Sequence, residues 1–333
     1  MKSVLVTGGM GFIGSNFIRF ILSEQKDIRV VNFDNLSYGS NPASLKDVSD
    51  HNNYRFVKGD VRDTGAVTKI VRGVDVVVNI AAETHVDRSI SNPRSFLETN
   101  TMGTLMLLEA CRLTDRTYAQ VSTDEVYGSA SEGTLFNEND RLDPSSPYAA
   151  SKAAADMLVR AYYKTYGLQT YTTRSTNNFG PYQFPEKFIP KTIIRALLGM
   201  KIPVYGSGRQ VRDWIHVKDH SDALYSVLTR GKSGTIYNIA GGNQYENLRI
   251  IELVLTELGK PTSLIEHVTD RPGHDFRYGI DSTLIAIELG WKPKINFLDA
   301  LKATVEWYAK NEWWWKPLIS EKILSPTPWK ESW

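Results

Sequence analysis

The octapeptide VSTDEVYG, residues 121–128, places two acids, Asp124 and Glu125, side by side after an apolar run with the composition of a buried strand. Adjacent carboxylates in different surroundings hold different protonation states, because burial penalises ionisation and each negative charge opposes its neighbour. One can then act as base and the other as acid, which is the pair an elimination of water needs. Neighbours on a strand point to opposite faces, so both acids reach one substrate only if the strand has ended by Thr123. Gly128 and the polar run after it fit such an ending. The competing assignment is that the acids merely cap the turn or the next helix.

A second pair follows in PYAASKAAADML, where Tyr148 and Lys152 stand four apart on a helix-forming segment and share one face. An ammonium near a tyrosine oxygen favours the phenolate, which becomes a base for an alcohol. Ser122 or Thr123, upstream, can hydrogen-bond a sugar hydroxyl. Surface helices give the same spacing often, so the pair gains its weight from the start of the chain.

There the first strand runs into TGGMGFIGSNF, with Gly8, Gly11 and Gly14 at three-residue spacing. Such glycines let backbone approach a pyrophosphate whose charge the helix N-terminus favours, although a plain tight turn has the same look. Asp34 ends the second strand; an acid there accepts bonds from an adenosine ribose and repels a 2′-phosphate, favouring NAD over NADP. Asp60, in DVRD, ends the third strand on the adenine side, and Ala81 to His85 end the fourth.

These residues need a frame. Short β-branched runs (SVLVT, RVVNF, YRFV, VDVVVNI, TYAQVS, LQTYTTR) alternate with helix-like stretches such as FIGSNFIRFILSE and GTLMLLEACRL. The pattern predicts an α/β fold, a Rossmann-type doubly wound parallel sheet covered on both faces. Beyond Asn177 the texture changes. Pro181, Pro185, Pro190 and Pro203 punctuate loops, and helices are separated by isolated strands such as TIYNIA. Residues 1–176 are expected to form the NAD-binding domain, with a return segment near 209–235 in which Val211 to Val217 rejoins the sheet. Residues 177–333 are expected to form a smaller C-terminal substrate-binding lobe.

Composition excludes several classes. The 333 residues carry 39 Lys and Arg against 37 Asp and Glu, with no basic run, so a nucleic-acid partner is not expected. Cys111 is the one cysteine, which rules out an internal disulfide and a thiolate metal cluster and suits a reducing cytoplasm. No apolar window suggests a signal peptide or a membrane span, so a soluble chain with no membrane partner is expected. His216 and His220 stand four apart beside Asp219, but lack a third ligand of fixed spacing, and no metal is expected. Trp313, Trp314 and Trp315 are expected to pack a C-terminal helix onto the lower lobe.

Together TGGMGFIG, Asp34, STDEVYG and YAASK resemble the extended short-chain dehydrogenase/reductase family, and the similarity runs through the whole chain. AAETHVDRSI, NNFGPYQFPEKFIP, RDWIHVKDH and DRPGHDFRY are most similar, in that order, to its nucleotide-sugar 4,6-dehydratases. The resemblance implies tightly bound NAD, dTDP-glucose as substrate and a homodimer built from helices at 93–112 and 147–166. It implies catalytic roles for Thr123, Asp124, Glu125, Tyr148 and Lys152. Cofactor contacts implied are Gly8, Gly11, Phe12, Ile13, Gly14, Asp34, Asn35, Asp60, Val61, Ala81, Ala82, Thr99, Ser122, Tyr148, Lys152 and Asn178. Substrate contacts implied are Thr84, His85, Thr123, Asn177, Glu186, Lys187, Pro203, Val204, Tyr205, Arg212, Asn247, Arg271, His274 and Tyr278.

Three alternatives stay open. A nucleotide-sugar 4-epimerase shares the loop, the tyrosine and the lysine but needs no acid pair at 124 and 125. A UDP-sugar 4,6-dehydratase differs only in its base contacts. A non-catalytic NAD-binding regulator keeps the glycine loop and has no reason to keep the rest.

Overall fold

Apolar, β-branched segments line up in register at the centre of the computed structural model, which describes residues 1–25 and 27–332. The strands of the first half are β1 (Ser3–Thr7), β2 (Arg29–Asp34), β3 (Tyr54–Lys58), β4 (Val76–Asn79), β5 (Thr117–Thr123) and β6 (Thr170–Ser175). Those of the second half are β7 (Asn177–Phe179), β8 (Ile202–Tyr205), β9 (Val211–His216), β10 (Ile236–Ile239), β11 (Gln244–Glu246) and β12 (Ile265–Val268). The helices are α1 (Phe12–Glu24), α2 (Thr64–Val71), α3 (Val86–Ser91), α4 (Pro93–Phe96), α5 (Gly103–Thr114) and α6 (Pro147–Tyr166). They continue with α7 (Phe188–Leu197), α8 (Val217–Arg230), α9 (Asn247–Glu257), α10 (Thr283–Leu289), α11 (Phe297–Lys310) and α12 (Glu312–Trp315).

Seven strands form one sheet in the order β10-β6-β5-β4-β1-β2-β3, every pair parallel. Successive side chains of a strand point to opposite faces, so a sheet covered on both sides needs unbroken apolar runs. β1 shows this. Val4 and Val6 pack with Phe17, Ile18 and Ile21 of α1 and Leu224 of α8, whereas Leu5 packs with Val67 of α2 and Leu107 and Leu108 of α5. The fold is therefore the Rossmann-type doubly wound α/β sheet that the sequence predicts. The strand order reverses between β1 and β4, which opens a crevice outside their C-terminal ends.

The second half departs from expectation in one respect. Val211–His216 does not rejoin the large sheet; as β9 it pairs parallel with β7 and antiparallel with β11 in a separate three-stranded sheet. The segment TIYNIA, read as an isolated strand of the lobe, supplies β10, which pairs with β6 from Ile236↔Thr172 to Ile239↔Ser175. Between them α8 buries Ala223, Leu224 and Val227. Both strands are short, and composition does not encode which partner such a strand finds. A third sheet pairs β8 with β12.

The lobe has its own core of Ile189, Ile193, Trp214, Ile250, Leu301, Trp314 and Trp315. Trp314 and Trp315 are buried there and Trp313 is exposed. No helix of the described residues is long and apolar enough to cross a membrane.

Candidate active site

β5 ends at Thr123, whose backbone is still extended and whose side chain accepts the Glu125 N–H at 3.2 Å. Asp124–Tyr127 then forms a single 3-10 turn. Thr123 thus does the capping, and both acids lie beyond the strand on the wall of one cleft. Their surroundings differ. Asp124 Oδ1 stands 3.2 Å from the Thr123 hydroxyl, while its buried Oδ2 finds no partner among the described residues. Burial, then the charges of Glu125 and Asp213, hold the Asp124 carboxyl well above its ordinary range, with Arg212 opposing. Burial raises Glu125 too, but Arg271, Arg212 and Lys187 all pull it back towards ionisation. Of the two, Asp124 has the stronger hold on a proton and Glu125 the more cationic surroundings.

Ser146 caps α6 by accepting the Ala149 N–H at 3.1 Å, and Pro147 opens its first turn. The helix brings Tyr148, largely buried, to the same cleft, which Thr123 also lines. Lys152 is held differently from the sequence expectation. Its Nζ donates to the Val121 carbonyl of β5 at 2.7 Å, and it does not line the cleft. Burial pushes this ammonium down to about 8, with Asp156 opposing. Burial, Glu125 and Asp124 raise the Tyr148 phenol. The acids of the cleft therefore work against the phenolate.

The crevice floor is backbone. Gly8 has φ +68°, and a Cβ there would stand 2.7 Å from Ala81 Cα; one on Gly14 would stand 2.3 Å from the Gly8 carbonyl. Asp34 accepts Met10 N–H at 2.9 Å, Leu36 N–H at 2.7 Å and the Ser40 hydroxyl at 2.8 Å, drawing two loops around the site. Gly11, Phe12, Ile13, Asn35, Val61, Ala82 and Thr99 line the same chamber. Thr99 lies on a π-helical stretch, Leu97–Met102, whose Asn100 donates to the Glu83 carbonyl and Ser151 hydroxyl and so ties β4 to α6. Asp60 does not line the chamber; Arg62 grips its carboxylate at 2.7 Å and Asn35 donates to it at 3.2 Å. The buried oxygens Ser122 Oγ and Asn178 Oδ1 lack acceptors or donors among the described residues. Close backbone, an acid after β2 and unpaired polar atoms near the phenol fit a dinucleotide.

The cleft continues into a second chamber. Thr84, His85, Glu125, Asn177, Asn178, Glu186 and Lys187 line both. Pro203, Val204, Tyr205, Arg212, Asn247, Arg271, His274 and Tyr278 line the second. Arg271 Nη1 donates to Asp87 at 2.6 Å and the Tyr205 hydroxyl donates to the other Asp87 oxygen at 3.0 Å. Arg212 donates to the Asp275 carbonyl at 2.8 Å and lies 4.1 Å from the centroid of the Tyr278 ring. Burial and the charges of Arg271 and Arg212 push His274 down to about 4, so the neutral ring donates Nδ1–H to Asp270 at 2.6 Å. Burial lifts Glu186 to about 7 against Lys191 and Lys187; Lys187 donates to the Thr84 carbonyl at 2.7 Å.

Sequence reasoning missed Asp87, Gln183, Lys191 and Tyr38, whose hydroxyl donates to Glu186. Only Lys191 left a signal, a lysine one turn after Lys187 on a helix whose neighbours Ile189, Ile193 and Ile194 are buried. His216 Nδ1 accepts Lys218 N–H at 3.3 Å, His220 is fully buried, and Asp219 accepts Lys294 and Ile295 N–H.

One cleft thus joins a dinucleotide-shaped floor, a phenol and two unlike acids to a chamber rich in cations. The comparisons with known proteins agree with that arrangement. The family profile described as GDP-mannose 4,6 dehydratase matches residues 5–304. The dTDP-glucose 4,6-dehydratase of Streptomyces niveus is 46% identical over 330 residues, covering 98% of each chain. The crystal structure of DesIV, a dTDP-glucose 4,6-dehydratase from Streptomyces venezuelae solved with NAD bound, superposes with a TM-score of 0.93 at 45% identity, covering 95% of this chain and 100% of that one. UDP-glucose 4-epimerase from Thermus thermophilus, also solved with NAD, gives 0.85 at 30% identity, covering 93% of this chain and 99% of that one. The chain belongs to the GDP-mannose 4,6 dehydratase family, within the extended short-chain dehydrogenases/reductases.

Proposed function

We propose that the protein is an NAD-dependent hydro-lyase that converts dTDP-glucose to dTDP-4-keto-6-deoxyglucose. The observation that carries this reading is the 3-10 turn after β5, which presents Asp124 and Glu125 to the cleft that Tyr148 also lines. NAD, when bound, supplies the redox half: it takes the carbon 4 hydrogen with its electron pair and gives it back at carbon 6.

The chain's residues do the rest. Tyr148 takes the proton of the 4-hydroxyl, with Thr123 lining the same chamber and Lys152 anchored one turn away. The resulting carbonyl acidifies the hydrogen at carbon 5. Glu125 removes that proton as the 6-hydroxyl departs with the proton of Asp124, so water leaves and a carbon 5–carbon 6 double bond forms. Glu125 later returns a proton to carbon 5. Tyr148 then holds one proton more and Asp124 one fewer than at the start, so the protein regains its starting state when the phenol releases its proton and the carboxylate takes one up, directly or through solvent.

The division of labour we infer gives the dinucleotide to residues 1–176 and the nucleotide sugar to the chamber from residues 177–333, with β10 the segment that rejoins the sheet. Arginines suit a diphosphate through their forked donors. The product would feed deoxysugar synthesis, rhamnose among its outlets, in the reducing cytoplasm that a single cysteine suits. Leu97, Met102, Met157, Tyr163 and Tyr166 stand exposed on the 93–112 and 147–166 segments, and a second copy of the chain would cover them. Sedimentation at the mass of a monomer would contradict that assembly.

Purified protein mixed with dTDP-glucose and no added NAD should develop the alkaline absorbance of a 4-keto sugar. A galactose product would make it an epimerase, a preference for UDP-glucose would move the base specificity, and no turnover of any nucleotide sugar with NAD bound would leave the regulator.

A further inference from the structure

Lys152 is not the only buried charge on α6. One turn later Asp156 receives Arg174 Nε at 2.9 Å, with both side chains almost wholly inaccessible. A buried ion pair spends desolvation energy that its attraction offsets only in part, so its retention asks for a further role. Arg174 stands on β6 in register with Ser122 of β5. Its second arm, Nη1, donates to the Tyr127 hydroxyl at 2.8 Å, and its guanidinium carbon lies 4.8 Å from the centroid of that ring. Tyr127 closes the turn that begins with Asp124, and its own hydroxyl donates to Asn238 of β10 at 2.9 Å. The helix is thus fastened at successive turns, Lys152 to Val121 and Asp156 to Arg174.

We infer that Arg174 is a positioning residue whose two arms tie the helix carrying Tyr148 to the turn carrying Asp124 and Glu125. The clamp fixes the separation between the group that takes a proton from the alcohol and the pair that expels water. Arg174, Asp156 and Tyr127 line neither chamber, so their effect on chemistry passes through the groups they hold. Displacements of about 1 Å at reacting groups cost on the order of a hundredfold in rate. The inference rests on the dehydratase reading above.

Turnover of dTDP-glucose by the unaltered holoenzyme is measured first; its failure would overturn that reading before any variant is compared. Given turnover, Tyr127→Phe removes one oxygen and keeps the ring that stacks 5.3 Å from Phe136. Its kcat should fall about tenfold, with KM for the nucleotide sugar within about twofold of the parent. The near-ultraviolet absorbance of reduced nicotinamide should rise during turnover, because the phenol keeps its place while the eliminating acids lose theirs. Arg174→Lys, which keeps a charge beside Asp156 without the second arm, should show the same split. Unchanged kcat in both variants would overturn the role. So would a parallel loss of kcat, KM and bound NAD, or a failure of both variants to fold, since each would assign the clamp to stability alone.

Discussion

The two chambers of the cleft are built by opposite means. The first is walled by backbone: glycines at close approach, strand ends, and an acid after β2 whose oxygens organise loops. The second is walled by charged side chains, Asp87, Glu186, Lys191 and Arg212 buried and Arg271 and Lys187 partly so, drawn from segments far apart in the chain. Backbone holds a ligand by shape at little electrostatic cost. Buried charges hold one by sign, and each must be balanced inside the fold. The two meet at residues that both chambers share, Glu125 among them, where the proposed chemistry is placed.

The contrast breaks most readily at Arg271. Its guanidinium sits 2.6 Å from Asp87, with side-chain exposures of 11% and 3%. Arg271→Met leaves the Asp87 carboxylate with the Tyr205 hydroxyl as its remaining hydrogen-bond donor at that end, and should cost about 3–5 kcal/mol of folding stability in urea titration. Burial opposes ionisation of Asp87, yet Arg271, His85 and the hydrogen bonds from Arg271 and Tyr205 bring it down to about 2. Adding Asp87→Leu should recover much of the loss by removing the stranded charge. A variant as stable as the parent would mean that the second chamber does not depend on balanced charge.

A smaller effect is expected at Glu186. Burial raises its pKa from 4.5 to about 7, although Lys191 and Lys187 pull the other way. Between those values the folded chain keeps a proton that the unfolded chain has released. Stability from this group is therefore full below pH 4.5 and is lost as pH rises through about 7. Glu186→Gln should flatten that decline by on the order of 1–3 kcal/mol, read as urea midpoints at the two ends of the window. A parent whose stability rises across the window would reverse the assigned sign.

The same contrast explains what the sequence disclosed. Gly8, Gly11 and Gly14, and Tyr148 with Lys152, were legible because their spacing is local: one turn of backbone or of helix sets their geometry. The acid pair was legible in kind, but whether both acids faced one cleft depended on where β5 stopped. Arg271 and Asp87 are 184 residues apart and meet only through the fold, so only family resemblance pointed to the former and nothing to the latter. The Val121 carbonyl that Lys152 meets was illegible for the same reason: it belongs to a strand beneath the helix. Val211–His216 and Ile236–Ile239 exchange places because the partner of a short strand is set by neighbours that its own few residues do not specify.

The smallest effect should come from the ion pair at the edge of the first chamber. Arg62 grips Asp60 at 2.7 Å, much as Arg271 grips Asp87, but with side-chain exposures of 45% and 27%. The Arg62 hydrogen bond holds the Asp60 carboxyl down to about 2 against the opposing pull of burial, and Arg62 also stands 3.6 Å from Glu98. Water screens an exposed pair, so Arg62→Met should cost under about 1 kcal/mol and less again in high salt. The sign follows from the lowered pKa: whatever the pair contributes is present above the ordinary value of 3.8 and is lost as pH falls through about 2. Two arginine–aspartate contacts of nearly equal length should thus differ severalfold in worth because one is buried and the other is wet. If urea titration gave Arg62→Met the same cost as Arg271→Met, burial would not be what separates the chambers, and the charge-walled half of the cleft would need another explanation.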